Sequence, residues 1–254
     1  MAVIRSLLAT IFRPACPLCG RPAQGYFCID CQRQLEATRL PQPWQFWQGE
    51  LPLAAWGRYG DALKRALAAL KYHHRPELAR PLGYYLGEVW LTRGHGLRQP
   101  PGVVPIPIHP DKHKIRGYNQ AELLASWFCQ YVGLKLYSDL LVRQTNTKAQ
   151  HSLSAQEREA NLATAFAINP QSPRPQMPVL IVDDIYTTGA TARTAQMVLQ
   201  TAGVTVVGVL VVATGKGDTP IPIAKQPTKS KQWAYQVTRT ENRQKAPSSR
   251  SKVS

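Results

Sequence analysis

The chain has 254 residues, of which 44% are hydrophobic, and its formal net charge is +16. This length and composition predict one medium-sized domain with a hydrophobic core and small additional segments. Because no run of about 18 apolar residues occurs, the sequence excludes a membrane-spanning helix. The charge is strongly basic for an enzyme that acts on a small metabolite.

The N-terminal segment is apolar but does not have the features of a signal peptide. Residues 3–12 contain one arginine, lack a small-residue cleavage site and continue directly into a cysteine-rich segment. We therefore predict an amphipathic helix here and expect a cytoplasmic protein.

Four of the five cysteines form two C-x-x-C pairs, Cys16 with Cys19 and Cys28 with Cys31. Two such pairs are the usual arrangement for a structural zinc ion with four thiolate ligands, and a cytosolic protein would keep them reduced. A redox-active disulfide pair and an iron–sulfur cluster are the alternatives. The fifth cysteine, Cys129, lies on the apolar face of a predicted helix and is expected in the core.

The middle of the chain alternates between helical and extended patterns. Helices are predicted over residues 61–72 and from Pro76, then a strand over 103–108, a basic loop over 112–116 and a helix with Leu124 and Phe128 on its apolar face. A capping box at 154–157 starts a short helix, and further strands follow at 166–168 and 204–213. The alternation favours a doubly wound α/β sheet.

Residues 179–191 combine a strand, two acids and a small polar loop. Residues 179–182 form an apolar strand, Asp183 and Asp184 follow, and Thr187, Thr188, Gly189, Ala190 and Thr191 lead into a helix. The free N–H groups of a helix N-terminus bind anions, and glycine allows a phosphate to approach the backbone closely. Acids at the carboxyl end of a strand suit ribose hydroxyls or a magnesium ion. The pattern therefore predicts a site for a phosphorylated sugar.

The C-terminal segment is basic and has no sustained periodicity. Residues 216–254 contain nine lysines and arginines and are rich in proline, serine, threonine and glutamine. This composition predicts a disordered extension. Attraction of nucleic acid or acidic partners and a merely solubilising role are equally compatible with it.

The segment 179–191 closely resembles the signature loop of the type I phosphoribosyltransferases, which bind 5-phosphoribosyl-1-diphosphate (PRPP). The resemblance extends upstream through VVPIPIH at 103–109 and RGYNQ at 116–120. Together with the four cysteines, this ordered set is similar to the ComF family, a competence-associated branch of the same fold, and covers most of residues 100–213. The resemblance implies an α/β fold of the type I phosphoribosyltransferase kind, with a mostly parallel sheet flanked by helices and a small zinc-ribbon-like module.

The resemblance also implies roles for individual residues. The loop from Thr187 to Thr191 would hold the 5′-phosphate, and Asp183 and Asp184 would fix the ribose, with Mg²⁺ accompanying PRPP. Arg116 and Lys71 are the candidates for the pyrophosphate; alternatively, Arg116 supports its loop and Lys71 is a solvated helix-end cation. Lys112 and Lys114 are expected on a solvated loop face. Arg143 and Arg158 fall where the family carries a lid over PRPP.

One departure from better-known relatives leaves the acceptor open. Enzymes of the hypoxanthine type carry a carboxylate three residues after the second acid, and Thr187 occupies that position here. We expect a phosphoribosyltransferase, or alternatively a non-catalytic accessory protein of the competence machinery that binds single-stranded DNA or other competence proteins. The expected division is a zinc module at 1–45, the phosphoribosyltransferase-like domain at 46–215 and a basic tail at 216–254.

Overall fold

The computed structural model describes residues 14–92, 97, 99–144 and 165–215. The helices of this part are α1 (Ile29–Glu36), α2 (Asp61–Tyr72), α3 (Ala79–Thr92), α4 (Pro110–Arg116), α5 (Gln120–Val132) and α6 (Ala190–Thr201). The strands are β1 (Leu53–Arg58), β2 (Gly102–Pro105), β3 (Leu141–Arg143), β4 (Phe166–Ile168), β5 (Val179–Tyr186) and β6 (Val206–Thr214). A short 3₁₀ turn, Pro76–Leu78, precedes α3.

A parallel sheet with the strand order β1-β6-β5-β2 forms the centre of the fold. Strands β5 and β6 occupy its middle, and their continuous apolar runs are buried as expected for strands covered on both faces. A separate antiparallel pair, β3 with β4, brackets the segment 145–164. The predicted α/β architecture with a mostly parallel sheet is confirmed.

Successive residues of β5 enter different cores because side chains alternate across a strand. Leu180 and Val182 pack into the cluster that contains residues of α2, α3 and α5. Val179 and Ile181 pack into a second cluster with residues of α6 and of the β3–β4 pair. Continued to the end of the strand, this alternation sends Asp184 and Asp183 towards opposite faces of the sheet.

The structure differs from the sequence prediction at several places. Strand β1 was not predicted, although it pairs along its length with β6. The segment predicted as a basic loop at 112–116 belongs to helix α4, which has Pro110 at its first position and ends at Gly117 in the left-handed conformation (φ 79°). Strand β5 continues to Tyr186, so the two acids lie within the strand instead of following it.

Helix α5 packs closely against α3 through two glycines. A Cβ atom at Gly83 would lie 2.6 Å from Cβ of Trp127, and one at Gly87 would meet the ring of Tyr131. The inward side of α5 includes Leu124, Phe128 and Cys129, whereas Tyr131 is 43% exposed. Cys129 is a core residue as predicted, and burial raises the pKa of its thiol to about 12.

Several predictions fall outside the described residues, namely the helix at 3–12, the capping box at 154–157 and the tail at 216–254. None of the helices in the described ranges is long and apolar enough to cross a membrane.

Candidate functional site

Two adjacent acids at the carboxyl end of β5 form the centre of the site. Asp184 is 6% exposed, and its Oδ2 lies 2.5 Å from Nζ of Lys71. Oδ1 of Asp183 accepts a hydrogen bond from the backbone N–H of Asp184 at 2.8 Å. Asp184 Oδ2 is buried, and Lys71 is its partner among the described residues.

Four cations from three different elements belong to the site. Lys71 pairs with Asp184 and Arg143 interacts with Asp183, while Lys112 and Arg116 interact with the other cations. Lys71 lies in the last turn of α2, Lys112 and Arg116 lie on α4, and Arg143 ends β3. Burial lowers the pKa of Lys112, and the nearby charges of Arg116, Arg143 and Lys71 lower it further. This electrostatic coupling indicates a concentrated positive field, which suits a ligand with several negative charges.

Aromatic rings support two of the arginines. The guanidinium of Arg116 lies 5.0 Å from the centroid of the Tyr72 ring, and that of Arg143 lies 5.4 Å from the Phe166 ring. Burial lowers the pKa of Arg143 while the charge of Asp183 raises it, and its Nε finds no acceptor among the described residues. A buried arginine N–H group without an acceptor gains a hydrogen-bond partner when an anion binds next to it.

Lys71, Arg116 and Arg143 were predicted as candidates for the site. The structure adds Lys112 to this group of cations. Lys112 is exposed to solvent as predicted, but it lies in helix α4 and not in a loop. In a helix, Lys112 and Arg116 are four residues apart and lie on one face. A helix N-terminus at Pro110 was the signal that could have identified Lys112. Arg158 lies outside the described residues.

Among the acids of the site, Asp183 has the most strongly shifted pKa. Burial raises its pKa well above the ordinary value, and the neighbouring charge of Asp184 raises it further, while Lys71 acts in the opposite direction. Holding this acid ionised therefore lowers the stability of the protein without its ligand.

The substitution Asp183→Asn is expected to stabilise the ligand-free protein at pH 7. A raised folded-state pKa means that the folded protein binds this proton more tightly than the unfolded chain does. Stability therefore falls as the pH rises from the ordinary value of 3.8 towards the folded-state pKa, and it stays reduced above that. Each unit of the raised pKa corresponds to about 1.4 kcal/mol.

Thermal unfolding of wild type and Asp183→Asn between pH 3 and pH 8 checks this. We expect the melting temperature (Tm) of the variant to exceed that of wild type by a few degrees at pH 7, with the gap closing in acid. A variant that is less stable than wild type at pH 7 would contradict the assignment.

The predicted phosphate loop lies between β5 and α6. Thr187 and Thr188 are exposed, and Gly189 is the N-cap of α6 in the left-handed conformation, with φ 80°. Ala190 and Thr191 form the first turn of α6. The N–H of Ala190 donates a 3.4 Å hydrogen bond to Oγ1 of Thr188, and the first turn of a helix is where backbone N–H groups can bind an anion.

Arg193, which sequence reasoning did not single out, lies next to this loop. Its Nη1 donates a hydrogen bond of 2.9 Å to the backbone oxygen of Thr188. A Cβ atom at Gly189 would lie 2.9 Å from the same Nη1 and would collide with the ring and hydroxyl of Tyr186. Glycine is therefore required at position 189 for two reasons: the backbone is left-handed, and there is no space for a Cβ atom.

Two glycines with the same backbone conformation provide a matched test of this loop. Gly189 and Gly203 have φ of 80° and 79°, but a Cβ atom at Gly203 would meet nothing within 4 Å. Gly203→Ala is expected to lower stability by about 1 kcal/mol through backbone strain alone. Gly189→Ala should lower it further because Tyr186 must move.

Chemical denaturation compares the stabilities of the two variants, and calorimetry with ribose 5-phosphate compares their phosphate binding. We expect Gly189→Ala to lose phosphate binding and Gly203→Ala to retain it. Equal binding by both variants would remove Gly189 from the phosphate site.

The four N-terminal cysteines form a second cluster. All four Sγ atoms lie within 4.8 Å of one another, and Sγ of Cys19 and Cys28 are 3.5 Å apart. Tetrahedral zinc with Zn–S bonds of about 2.3 Å requires sulfur atoms roughly 3.8 Å apart, so the donor set fits this ion. The predicted gathering of Cys16, Cys19, Cys28 and Cys31 is confirmed.

Local backbone structure explains how the thiols meet. The N–H of Gly20 donates to the carbonyl oxygen of Cys16 at 2.8 Å, which closes a tight knuckle around the first pair. Cys28 is the N-cap of α1 and Cys31 lies in its first turn. A hydrogen bond from Arg21 lowers the pKa of Cys19 to about 6, which favours the thiolate form that metals bind.

Known proteins similar to this chain are named for DNA utilization and competence. The DNA utilization protein YhgH of Salmonella typhi is 35% identical over 194 residues, covering 75% of this chain and 80% of the relative. Competence protein F of Haemophilus influenzae is 28% identical over 196 residues, with coverages of 75% and 80%. No protein-family model matches the chain.

Among solved structures, adenine phosphoribosyltransferase from Trypanosoma brucei has a similar chain path. The TM-score is 0.37 and the sequence identity is 10%, and the match covers 79% of this chain and 86% of the other.

Proposed function

Because the chain belongs to the ComF family, we propose that it binds PRPP with Mg²⁺ and transfers the phosphoribosyl group to an acceptor, in the cytoplasm. The proposal rests on one edge of the central sheet, where three features that suit different portions of PRPP lie together. They are the acid pair Asp183–Asp184, the cations around it and the loop at Gly189.

Each part matches one portion of PRPP. The 5′-phosphate suits the N-terminus of α6, since backbone N–H groups and the helix dipole both favour an anion there. The ribose hydroxyls suit the carboxylates of Asp183 and Asp184. The diphosphate suits the cations Lys71, Lys112, Arg116 and Arg143, which attract negative charge.

Transfer breaks the bond between the anomeric carbon and the diphosphate oxygen, and the bonding electrons leave with pyrophosphate. A lone pair of the acceptor's nucleophilic atom forms the new bond to the anomeric carbon. The cations stabilise the charge that develops on that oxygen, while the loop and the acids hold the sugar in place. Asp183 and Asp184 would hold Mg²⁺, which supplies additional charge neutralisation when bound. The proposal does not name the acceptor, because no carboxylate occupies the position of Thr187.

Isothermal calorimetry tests the binding step on the full chain. We expect PRPP to bind in the presence of Mg²⁺ and to bind more weakly after chelation. Ribose 5-phosphate and pyrophosphate, titrated separately, probe the loop and the cation cluster. If PRPP does not bind to wild type, the enzymatic proposal is wrong.

For the cysteine cluster we propose a structural zinc ion held by all four thiolates. Three of the four cysteines are buried, which favours a closed site without an open coordination position. A redox-active disulfide pair and an iron–sulfur cluster remain the competing assignments, and metal analysis distinguishes them.

A second candidate function is that of a nucleic-acid-binding accessory protein of the competence machinery. The net charge of +16 and the names of the relatives, DNA utilization protein and competence protein F, support it. In this reading the PRPP-type site serves as a ligand or scaffold site, and single-stranded DNA or other competence proteins are the partners.

Deletion of residues 216–254 tests the contribution of the tail. We expect PRPP binding to persist, because the last strand of the sheet ends at Thr214. Any affinity for nucleic acid should fall and depend less steeply on salt, by about one slope unit per lost phosphate contact. Salt titrations of both forms measure this, and an unchanged slope would indicate a merely solubilising tail.

A further inference from the structure

Three elements of the fold present a continuous run of aromatic rings outside the PRPP-type site. We call the run the aromatic strip and define it as Tyr26, Arg80, Tyr84, Trp127 and Tyr131. The ring of Tyr84 lies at its centre, with centroid distances of 6.1 Å to Tyr26, 6.1 Å to Trp127 and 5.1 Å to Tyr131. The strip thus joins the cysteine module, α3 and α5.

Arg80 lies among these rings. Its guanidinium carbon is 4.8 Å from the ring centroid of Trp127, 5.5 Å from that of Tyr26 and 5.7 Å from that of Tyr84. Its Nε also donates a 3.1 Å hydrogen bond to the hydroxyl of Tyr84. A permanent positive charge is therefore positioned within an aromatic surface.

The strip is accessible and rigidly supported. Tyr26 and Tyr131 are each 43% exposed, and Tyr84 and Trp127 are half-buried. Beneath the strip, α3 and α5 make the close contact at Gly83 and Gly87, so the rings stand on two tightly packed helices. Rings serving only as a core would be buried, whereas these keep part of their surface in solvent.

A groove adjoins the strip between the cysteine module and α3. Its volume is about 740 Å³, and Tyr26 and Tyr84 belong to both features. Phe27 and Tyr85, which are themselves buried, also line the groove, while Gln24, Gln32 and Glu88 add hydrogen-bonding groups. Aromatic walls with a few amide and carboxylate groups match the faces and edges of a nucleobase.

We infer that the aromatic strip and its groove bind single-stranded nucleic acid. Unpaired bases stack on exposed rings without strong sequence preference, and arginine adds attraction to the polyanionic backbone. The net charge of +16 complements such a ligand. The inference concerns a surface separate from the PRPP-type site and from the tail, so it is independent of PRPP turnover.

Fluorescence anisotropy with a labelled oligothymidine tests the strip on the full chain. We expect wild type to bind the single strand more tightly than a duplex of equal length, because paired bases cannot stack on the rings. The double substitution Tyr26→Ala/Tyr131→Ala should weaken binding by roughly 25-fold or more, since each stacked base contributes about 5-fold or more. Arg80→Gln should lower the salt slope by about one unit if it neutralises a phosphate.

Tyr59→Ala is the matched control, because Tyr59 is 38% exposed but does not belong to the strip. We expect its affinity for oligothymidine to equal that of wild type. Calorimetry with PRPP on the double variant should also match wild type, and this separates failure of the strip from failure of the phosphoribosyl site.

Photocrosslinking of wild type to an oligonucleotide that carries 5-iodouracil needs no variant. We expect crosslinked peptides from the segment around Tyr26, from α3 and from α5. Absence of binding at low salt, equal binding of the duplex, wild-type affinity in the double variant, or crosslinks confined to residues 216–254 would each overturn the inference.

Discussion

The double substitution Asp183→Asn/Asp184→Asn is expected to abolish Mg²⁺-dependent binding of PRPP while the protein remains folded. Each acid would contribute charge-assisted hydrogen bonds worth roughly 1.5–3 kcal/mol. Losing two such contacts weakens binding by about two to four orders of magnitude. Asparagine has nearly the same size as aspartate, so the substitution opens no cavity at the end of β5.

Calorimetry with PRPP and Mg²⁺, together with thermal unfolding, checks both parts of this expectation. Asp139→Asn is a suitable control, because Asp139 accepts a 3.0 Å hydrogen bond from Ser172 that asparagine can also accept. We expect the control to bind PRPP like wild type. Wild-type affinity for PRPP in the double variant would show that the two acids do not contribute to binding and that the phosphate loop binds the ligand without them.

Loss of the proposed zinc is expected to destabilise the whole described fold and not only the N-terminal segment. In the structure, Cys28 and Cys31 share one hydrophobic cluster with Leu35, Trp56 and Leu63. Structural zinc contributes about 10–16 kcal/mol to folding in zinc-finger peptides. Loss of even part of this energy should lower Tm by roughly 10 °C or more, at 2–4 °C per kcal/mol.

Cys28→Ser and its control Cys129→Ser test this expectation by metal analysis and thermal unfolding. Cys129 is buried but lies outside the four-cysteine cluster, so its variant should keep one zinc per chain. Cys28→Ser should lose the zinc and show the larger drop in Tm. Iron in the purified protein, or a Tm for Cys28→Ser equal to that of the control, would contradict the proposal.

The local features of this protein were predictable from its sequence because they depend on neighbouring residues. The strand at the start of β5, the loop at Gly189 and the beginning of α6 follow from an apolar run, a glycine and a change in periodicity. The paired C-x-x-C spacing likewise predicted the cluster of four thiols, because each pair closes its own knuckle.

Other features depend on which elements become neighbours, and no local pattern specifies this. Strand β1 is stabilised by its pairing with β6, more than 150 residues away by chain position. The ion pair of Lys71 with Asp184 and the coupling of Lys112 to Arg143 likewise join distant segments. Sequence reasoning named three of these four residues but could not identify which residues pair.

The contrast between Asp183 and Asp184 shows the same division within two adjacent residues. By sequence they are two identical side chains at the end of one strand. Because a strand alternates its side chains, Asp184 is buried and pairs with Lys71, while Asp183 is half-buried, interacts with Arg143 and has a raised pKa. The chemical groups of the site were therefore determined by the sequence, whereas their charge states and partners were decided by tertiary packing, since burial and long-range contacts control both.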